Sequence, residues 1–312
     1  IDILHRAVAL EALYNSADSY PQPSCHPETR TEILNDLYEQ VTAESGKPMC
    51  WLHGPAGAGK SAVMRTLCQR LEDGKRLGGA FFFKRCHPTR GNAKTLFATL
   101  AYQLALRHLD LRRPILQSVE SDPSVVGMDM EIQIHKLIAE PHQSLESHAP
   151  LILLIDGLDE CDSEQAQRKI LYLIGDIIYQ HPSSFRFLIA SRPEAHIREV
   201  LDEVSFDGLF DSVNAEKSFE DIRTYLRHEF SRIHREHRKT MENIPTPWPS
   251  SAIIDSLTCS SSGYFVYAST VIKFIDDKRF RPTEQLAAIR NLAPDSDSPF
   301  AALDQLYTQI LS

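Results

Sequence analysis

The sequence predicts an α/β chain: a doubly wound parallel sheet followed by a small all-helical domain. Three observations carry this. Short apolar runs, of which Leu151–Ile155 is the clearest, alternate with segments of helical period, as happens when crossover helices bury strands on both faces. One strand runs straight into a glycine-rich turn and then a helix, at Gly54 to Ser61. After Ala215 the strand-like runs stop and only amphipathic helical periods remain.

Taken in order, Ile3–Leu13 reads as a short apolar helix, and a loop with Pro21, Pro23 and Pro27 follows. Thr31–Ala43 places Ile33, Leu34, Leu37, Tyr38 and Val41 on one side of a helix that Gly46 and Pro48 end. Strands are expected at Met49–Leu52, Gly79–Phe83, Leu151–Ile155, Phe185–Ala190 and Phe210–Val213. Helical periods lie between them at Lys60–Leu71, Leu96–Leu104, Leu111–Val119, Glu131–Ile138, Ile170–Ile178 and Glu194–Leu201. Phe219, Ile222, Leu226, Phe230 and Ile233 then mark one face of a helix with an acidic first turn at Glu220-Asp221. Further helices are expected at Ile253–Cys259, Tyr264–Ile275, Thr283–Leu292 and Phe300–Leu311. The resulting division is an N-terminal helix and linker (1–30), a sheet domain (31–213), a helical domain (214–293) and the start of a further domain (294–312).

Lys plus Arg number 33 and Asp plus Glu 42, a net charge of −9, so the chain lacks the overall basic footprint of a nucleic-acid binder. A small anion needs only local donors and is not excluded. No apolar run approaches the roughly 20 residues of a membrane span. Six cysteines without a CxxC pair, and no Asn-x-Ser/Thr, favour a reducing, cytoplasmic setting. The chain begins at Ile1 and stops inside a helical pattern, so it reads as a fragment of something longer.

The strongest chemical signal is Gly54-Pro55-Ala56-Gly57-Ala58-Gly59-Lys60-Ser61, which matches G-x-x-x-x-G-K-[ST]. Its glycines allow backbone N–H groups to face a β-phosphate, and the helix that opens at Lys60-Ser61-Ala62 adds its dipole. Lys60 is placed on the β- and γ-phosphates and the Ser61 hydroxyl on Mg²⁺. A second signal is the buried run that ends Asp156-Gly157-Leu158-Asp159-Glu160. Asp156 would hold Mg²⁺, and Asp159 or Glu160 would activate the attacking water, with Asp159 favoured. A third run ends Ser191-Arg192-Pro193, which puts Arg192 beside a γ-phosphate.

With these residues in place the chain resembles a NACHT domain of the STAND class of P-loop NTPases, most like the fungal NLR-type proteins. The resemblance rests on Asp156-Gly157-Leu158-Asp159-Glu160 together with Ser191-Arg192-Pro193, and it spans about residues 20–312. It implies ATP or ADP with Mg²⁺ as ligands, slow ATP hydrolysis, and Arg192 as first sensor. It also implies that Cys25–Arg30 lies near the adenine, with Arg30 as a binding residue. Ser262-Gly263-Tyr264-Phe265 would open a helix near the nucleotide, and Phe300–Leu311 would open a winged-helix domain. The expected role is a molecular switch in signalling or self/non-self recognition. Oligomerisation would be its output, with an N-terminal effector and C-terminal repeats outside this chain. The rivals are a P-loop phosphotransferase and a non-hydrolysing nucleotide-binding scaffold.

Other features read as structural. His228, His234 and His237 belong to a solvated basic helix face, and Lys84-Arg85 is surface charge. With neither HExxH nor G-x-S-x-G present, zinc hydrolysis and acyl transfer have no motif.

Overall fold

A computed structural model describes residues 1–19, 24–43, 45–143, 150–215, 218–291, and positions 304, 305, 307, 308 and 310. The chain opens with α1 (Asp2–Arg6) and α2 (Thr31–Thr42). Among the described residues five strands follow: β1 (Met49–His53), β2 (Leu77–Phe82), β3 (Leu151–Asp156), β4 (Phe185–Ser191) and β5 (Phe210–Asn214). They form one sheet in the order β2-β3-β4-β1-β5, and every pairing is parallel. Parallel neighbours need long crossovers, and helices supply them. The β1–β2 crossover is α3 (Lys60–Asp73). Between β2 and β3 lie α4 (Leu96–Arg107), α5 (Leu109–Ser121), α6 (Met130–Ile134), a π turn at His135–Ala139 and α7 (Glu140–Gln143). The remaining crossovers are α8 (Glu164–Gln180) and α9 (Ala195–Leu201).

Strands β3 and β4 are buried along their whole length, which is why their sequence runs apolar without alternation. At the sheet edge, β5 is half-exposed and mixes polar with apolar residues. The other edge, β2, is covered by a side chain. Gln103 of α4 accepts the Ala80 N–H at 3.0 Å and donates to the Ala80 carbonyl at 2.8 Å, as a sixth strand would.

The N-terminal segment departs from the expected helix over Ile3–Leu13. It breaks after α1 and resumes as a 3₁₀ turn at Leu10–Ala12. The Ala9 N–H donates to Thr99 Oγ1 at 3.0 Å, and Leu4, Ala9 and Ala12 are fully buried in the sheet-domain core. Docking against α4 therefore wins over local helix propensity.

The contacts divide the chain into two compact units. One comprises Ile1–Ser24, Glu32–Pro55 and Lys60–Asn214; the other comprises Cys25–Thr31, Ala56–Gly59 and Ala215–Ser312. The core of the first contains Phe97, Leu153, Ile155, Ile174 and Phe187. The second contains α10 (Phe219–Glu236), α11 (Arg238–Met241), α12 (Ser251–Ser260), α13 (Phe265–Ile275) and α14 (Pro282–Arg290). Ile222, Leu226, Phe230 and Ile233 of α10 are fully buried, and Phe230 meets Trp248 edge-on at 5.3 Å.

The histidine-rich end of α10 is not a purely solvated face. His237 is buried, and its Nε2 lies 2.9 Å from Asp276 Oδ1. The acid that follows α13, Asp276, gives the buried imidazole a polar partner. The expected helix at Phe300–Leu311 lies largely outside the described residues, as do Pro21 and Pro23. Among the described residues no helix is long and apolar enough to cross a membrane.

Candidate functional site

Strand register brings three of the sequence signals to one sheet edge. Leu52 of β1 and Asp156 of β3 both pair with Ala190 of β4. Because the strands are parallel, the segments that follow Leu52, Ala190 and Asp156 leave the sheet on the same side, spaced by about 4.8 Å per strand. These are the glycine-rich turn, Ser191-Arg192, and the acidic turn.

The glycine-rich turn uses the conformations that its glycines permit. Gly57 and Gly59 have φ of 75° and 88°, the left-handed region that side chains avoid. A Cβ on Gly59 would meet nothing within 4 Å, so this position faces open space. Lys60 begins α3, and its Nζ donates to the carbonyls of Gly54 at 2.7 Å and Pro55 at 3.0 Å. Burial lowers the Lys60 pKa, and the charges of Asp159 and Asp156 oppose that shift. Ser61, the next residue, donates its hydroxyl to Asp156.

Asp156 is 4 % exposed. Burial pushes its carboxyl up to about 7; the Ser61 hydroxyl pulls it down, the Glu160 charge adds to the rise, and the Arg65 and Lys60 charges oppose it. Arg65 lies four residues beyond Ser61, so the same face of α3 carries both toward β3. Gly157 then takes φ 70°, which turns the chain sharply into a 3₁₀ segment, Leu158–Glu160.

Asp159 and Glu160 have different partners. Asp159 is buried; its Oδ1 accepts the Arg192 N–H at 2.9 Å, and its Oδ2 lies 3.2 Å from Arg192 Nε. Glu160 is half-buried, and its Oε2 accepts the Arg85 N–H at 3.2 Å. The Arg85 guanidinium donates to the Asp159 carbonyl at 3.0 Å. Arg85 is exposed, as a surface charge would be, yet it braces the acidic turn. Its place directly after the strand next to β3 was the available signal. Ser191 is held by Trp51, whose Nε1 donates to its hydroxyl at 2.8 Å.

Lys60, Ser61, Asp156, Asp159, Glu160 and Arg192 thus belong to the sheet unit, whereas Ala56, Gly57, Ala58, Gly59 and Arg30 belong to the helical unit. Arg30 is 8 % exposed with φ 58°, and its Nη2 donates to the Ala58 carbonyl at 2.9 Å.

Among the described residues no cluster of three or more His, Cys, Asp or Glu would hold a metal unaided. Ser61 and Asp156 offer two hard oxygens side by side. That donor set suits Mg²⁺, which takes its other ligands from water and substrate phosphates.

Residues 28–192 match the family described as nephrocystin 3, N-terminal. No curated protein matches the chain in sequence. Among solved structures, a Walker-type ATPase of Pyrococcus abyssi is similar, with a TM-score of 0.58 at 13 % identity, over 86 % of this chain and 74 % of that one. Drosophila ORC bound to DNA is similar with a TM-score of 0.50 at 11 % identity, over 83 % of this chain and 65 % of that one. At such identities the likeness is one of fold.

Proposed function

Because the chain belongs to the nephrocystin 3 N-terminal family and has the fold of a STAND-like P-loop NTPase, we propose that it is an ATP/ADP-binding switch with slow ATPase activity. The observation that carries this reading is the convergence of Lys60, Ser61, Asp156 and Arg192 at the ends of adjacent parallel strands. Chance surface charge does not assemble a lysine at a helix start, a hydroxyl on a buried acid, and an arginine on a second acid.

Backbone N–H groups of Gly54–Ser61 would hold the β-phosphate, and Lys60 the β- and γ-phosphates. Ser61 and Asp156 would hold Mg²⁺, which supplies neutralisation of phosphate charge. We assign Glu160 as the acid that accepts a proton from the attacking water. The sequence favoured Asp159, but both Asp159 oxygens face Arg192. Asp159 instead orients Arg192, whose half-exposed guanidinium would contact the γ-phosphate. A group that touches ATP but not ADP gives the two ligands different affinities, and only such a difference can shift a conformational equilibrium.

The finer reading is a NACHT-type signalling protein of the cytoplasm. Residues 31–213 would bind nucleotide, 214–293 would form the helical domain, and 1–30 would lead into the sheet domain. Flanking effector and repeat domains would give activation-dependent homo-oligomerisation its meaning. Thermal unfolding with Mg²⁺ and either ATP, ADP or AMP tests the basic claim. ATP and ADP should raise the midpoint, and AMP, which lacks the β-phosphate, should not. Equal shifts with all three would remove the phosphate loop from the account.

A further inference from the structure

Two successive carbonyls at the tip of the glycine-rich turn are held by the helical unit. The Gly57 carbonyl accepts the Val266 N–H of α13 at 3.4 Å. The Ala58 carbonyl accepts Arg30 Nη2 at 2.9 Å. Peptide planes are rigid, so the N–H of each plane points opposite to its carbonyl. Pulling the Gly57 and Ala58 carbonyls one way turns the Ala58 and Gly59 N–H groups the other way. Successive amides with that common orientation form an anion-binding nest.

Arg30 is itself fixed from several directions. Its own N–H donates to Asp221 Oδ1 at 3.1 Å, and its Nε lies 3.9 Å from Asp221 Oδ2. The Ser218 hydroxyl donates to the same Oδ2. The guanidinium stands over the Phe265 ring, 5.3 Å from its centre. A φ of 58° is rare for a residue with a side chain, and such backbone persists where surrounding contacts over-determine it. The turn is equally confined: a Cβ on Gly57 would stand 2.5 Å from Val266 Cγ1.

We infer that Arg30 is a positioning residue for the phosphate loop: it orients the Ala58–Gly59 peptide, with Asp221 and Phe265 holding its guanidinium in place. It acts through the protein backbone and not by touching nucleotide. The inference rests on the nucleotide-binding reading above, and it ties the shape of the loop tip to the helical unit.

The test compares wild type with Arg30→Ala, Arg30→Lys and Asp221→Asn, each first checked for a cooperative unfolding transition. The NMR amide shifts of Ala58 and Gly59, without nucleotide, should move in Arg30→Ala and Asp221→Asn, because the Ala58–Gly59 peptide loses its anchor, while β3 and β4 amide shifts stay unchanged. Arg30→Lys, which keeps one donor, should fall between. In a second arm, ADP and inorganic pyrophosphate are titrated with Mg²⁺. Arg30→Ala should weaken both by the same factor, about tenfold. Retained pyrophosphate affinity with weakened ADP would place Arg30 on the nucleoside and overturn the inference. Unchanged amide shifts at the loop tip would overturn it whatever the ligands do. If wild type binds neither ligand, the nucleotide reading falls, and the amide-shift arm still decides the role of Arg30. Should Arg30→Ala not fold, Arg30→Lys and Asp221→Asn carry both arms.

Discussion

Replacing Asp156 with Asn should stabilise the nucleotide-free protein at high pH. The carboxyl is 4 % exposed, and burial raises its pKa to about 7. In the unfolded chain an aspartate titrates at about 3.9. A folded pKa above the unfolded one means that stability is complete below about pH 4 and is lost as pH rises through about 7. The gap between those two values corresponds to about 4 kcal/mol, a ceiling on the loss at pH 8. Asparagine has the same shape, carries no charge, and can still accept the Ser61 hydroxyl. In urea titrations with a chelator present, Asp156→Asn should therefore be more stable than wild type at pH 8, by up to a few kcal/mol, with the gap narrowed to about 1 kcal/mol at pH 4.5. Mg²⁺ with ADP should reverse the order at pH 8, because a divalent cation favours the charged carboxylate. An Asn variant that is less stable than wild type at pH 8 without ligand would refute the reasoning. It would mean that Ser61, Arg65 and Lys60 outweigh burial.

Other variants separate binding from sensing and turnover. Arg192→Ala should weaken ATP about tenfold and leave ADP nearly unchanged by isothermal titration; parallel losses would mark a general phosphate contact. Asp159→Asn should lower the same ATP/ADP preference, since it releases Arg192. Glu160→Gln should keep that preference and cut phosphate release from ATP about 10²- to 10⁴-fold. Normal hydrolysis by Glu160→Gln, with a dead Asp159→Asn, would return the base to Asp159. Gly57→Ala must place a side chain at φ 75° and against Val266 Cγ1 at 2.5 Å. Nucleotide affinity should drop in a fluorescence titration, whereas the sheet unit should unfold as wild type does.

The strands and the three motifs were legible because a buried parallel strand and a phosphate-binding turn each constrain residue type directly. Leu151–Asp156 has apolar side chains on both faces, and Gly57 and Gly59 need positive φ. Long-range partners were not legible in the same way. Nothing local in Arg85 or Arg65 announces the acidic turn, although their positions after β2 and four residues past Ser61 were readable. The pairing of Asp159 with Arg192 joins residues 33 apart through adjacent strands, so the choice between Asp159 and Glu160 needed the register. His237 sits in a strongly charged run, and only the fold brings Asp276 to it. The break after α1 depends on Thr99, which lies 90 residues from the N–H that it accepts.

The central claim is that Gly54–Ser61 binds the phosphates of a nucleotide. Isothermal titration of ADP with Mg²⁺ into wild type and Lys60→Ala tests it most directly. Lys60 brings a charged donor to the phosphates, so its loss should weaken ADP by roughly tenfold or more, with the protein still folded. Equal affinities in the two proteins, or no ADP binding by wild type, would contradict the account.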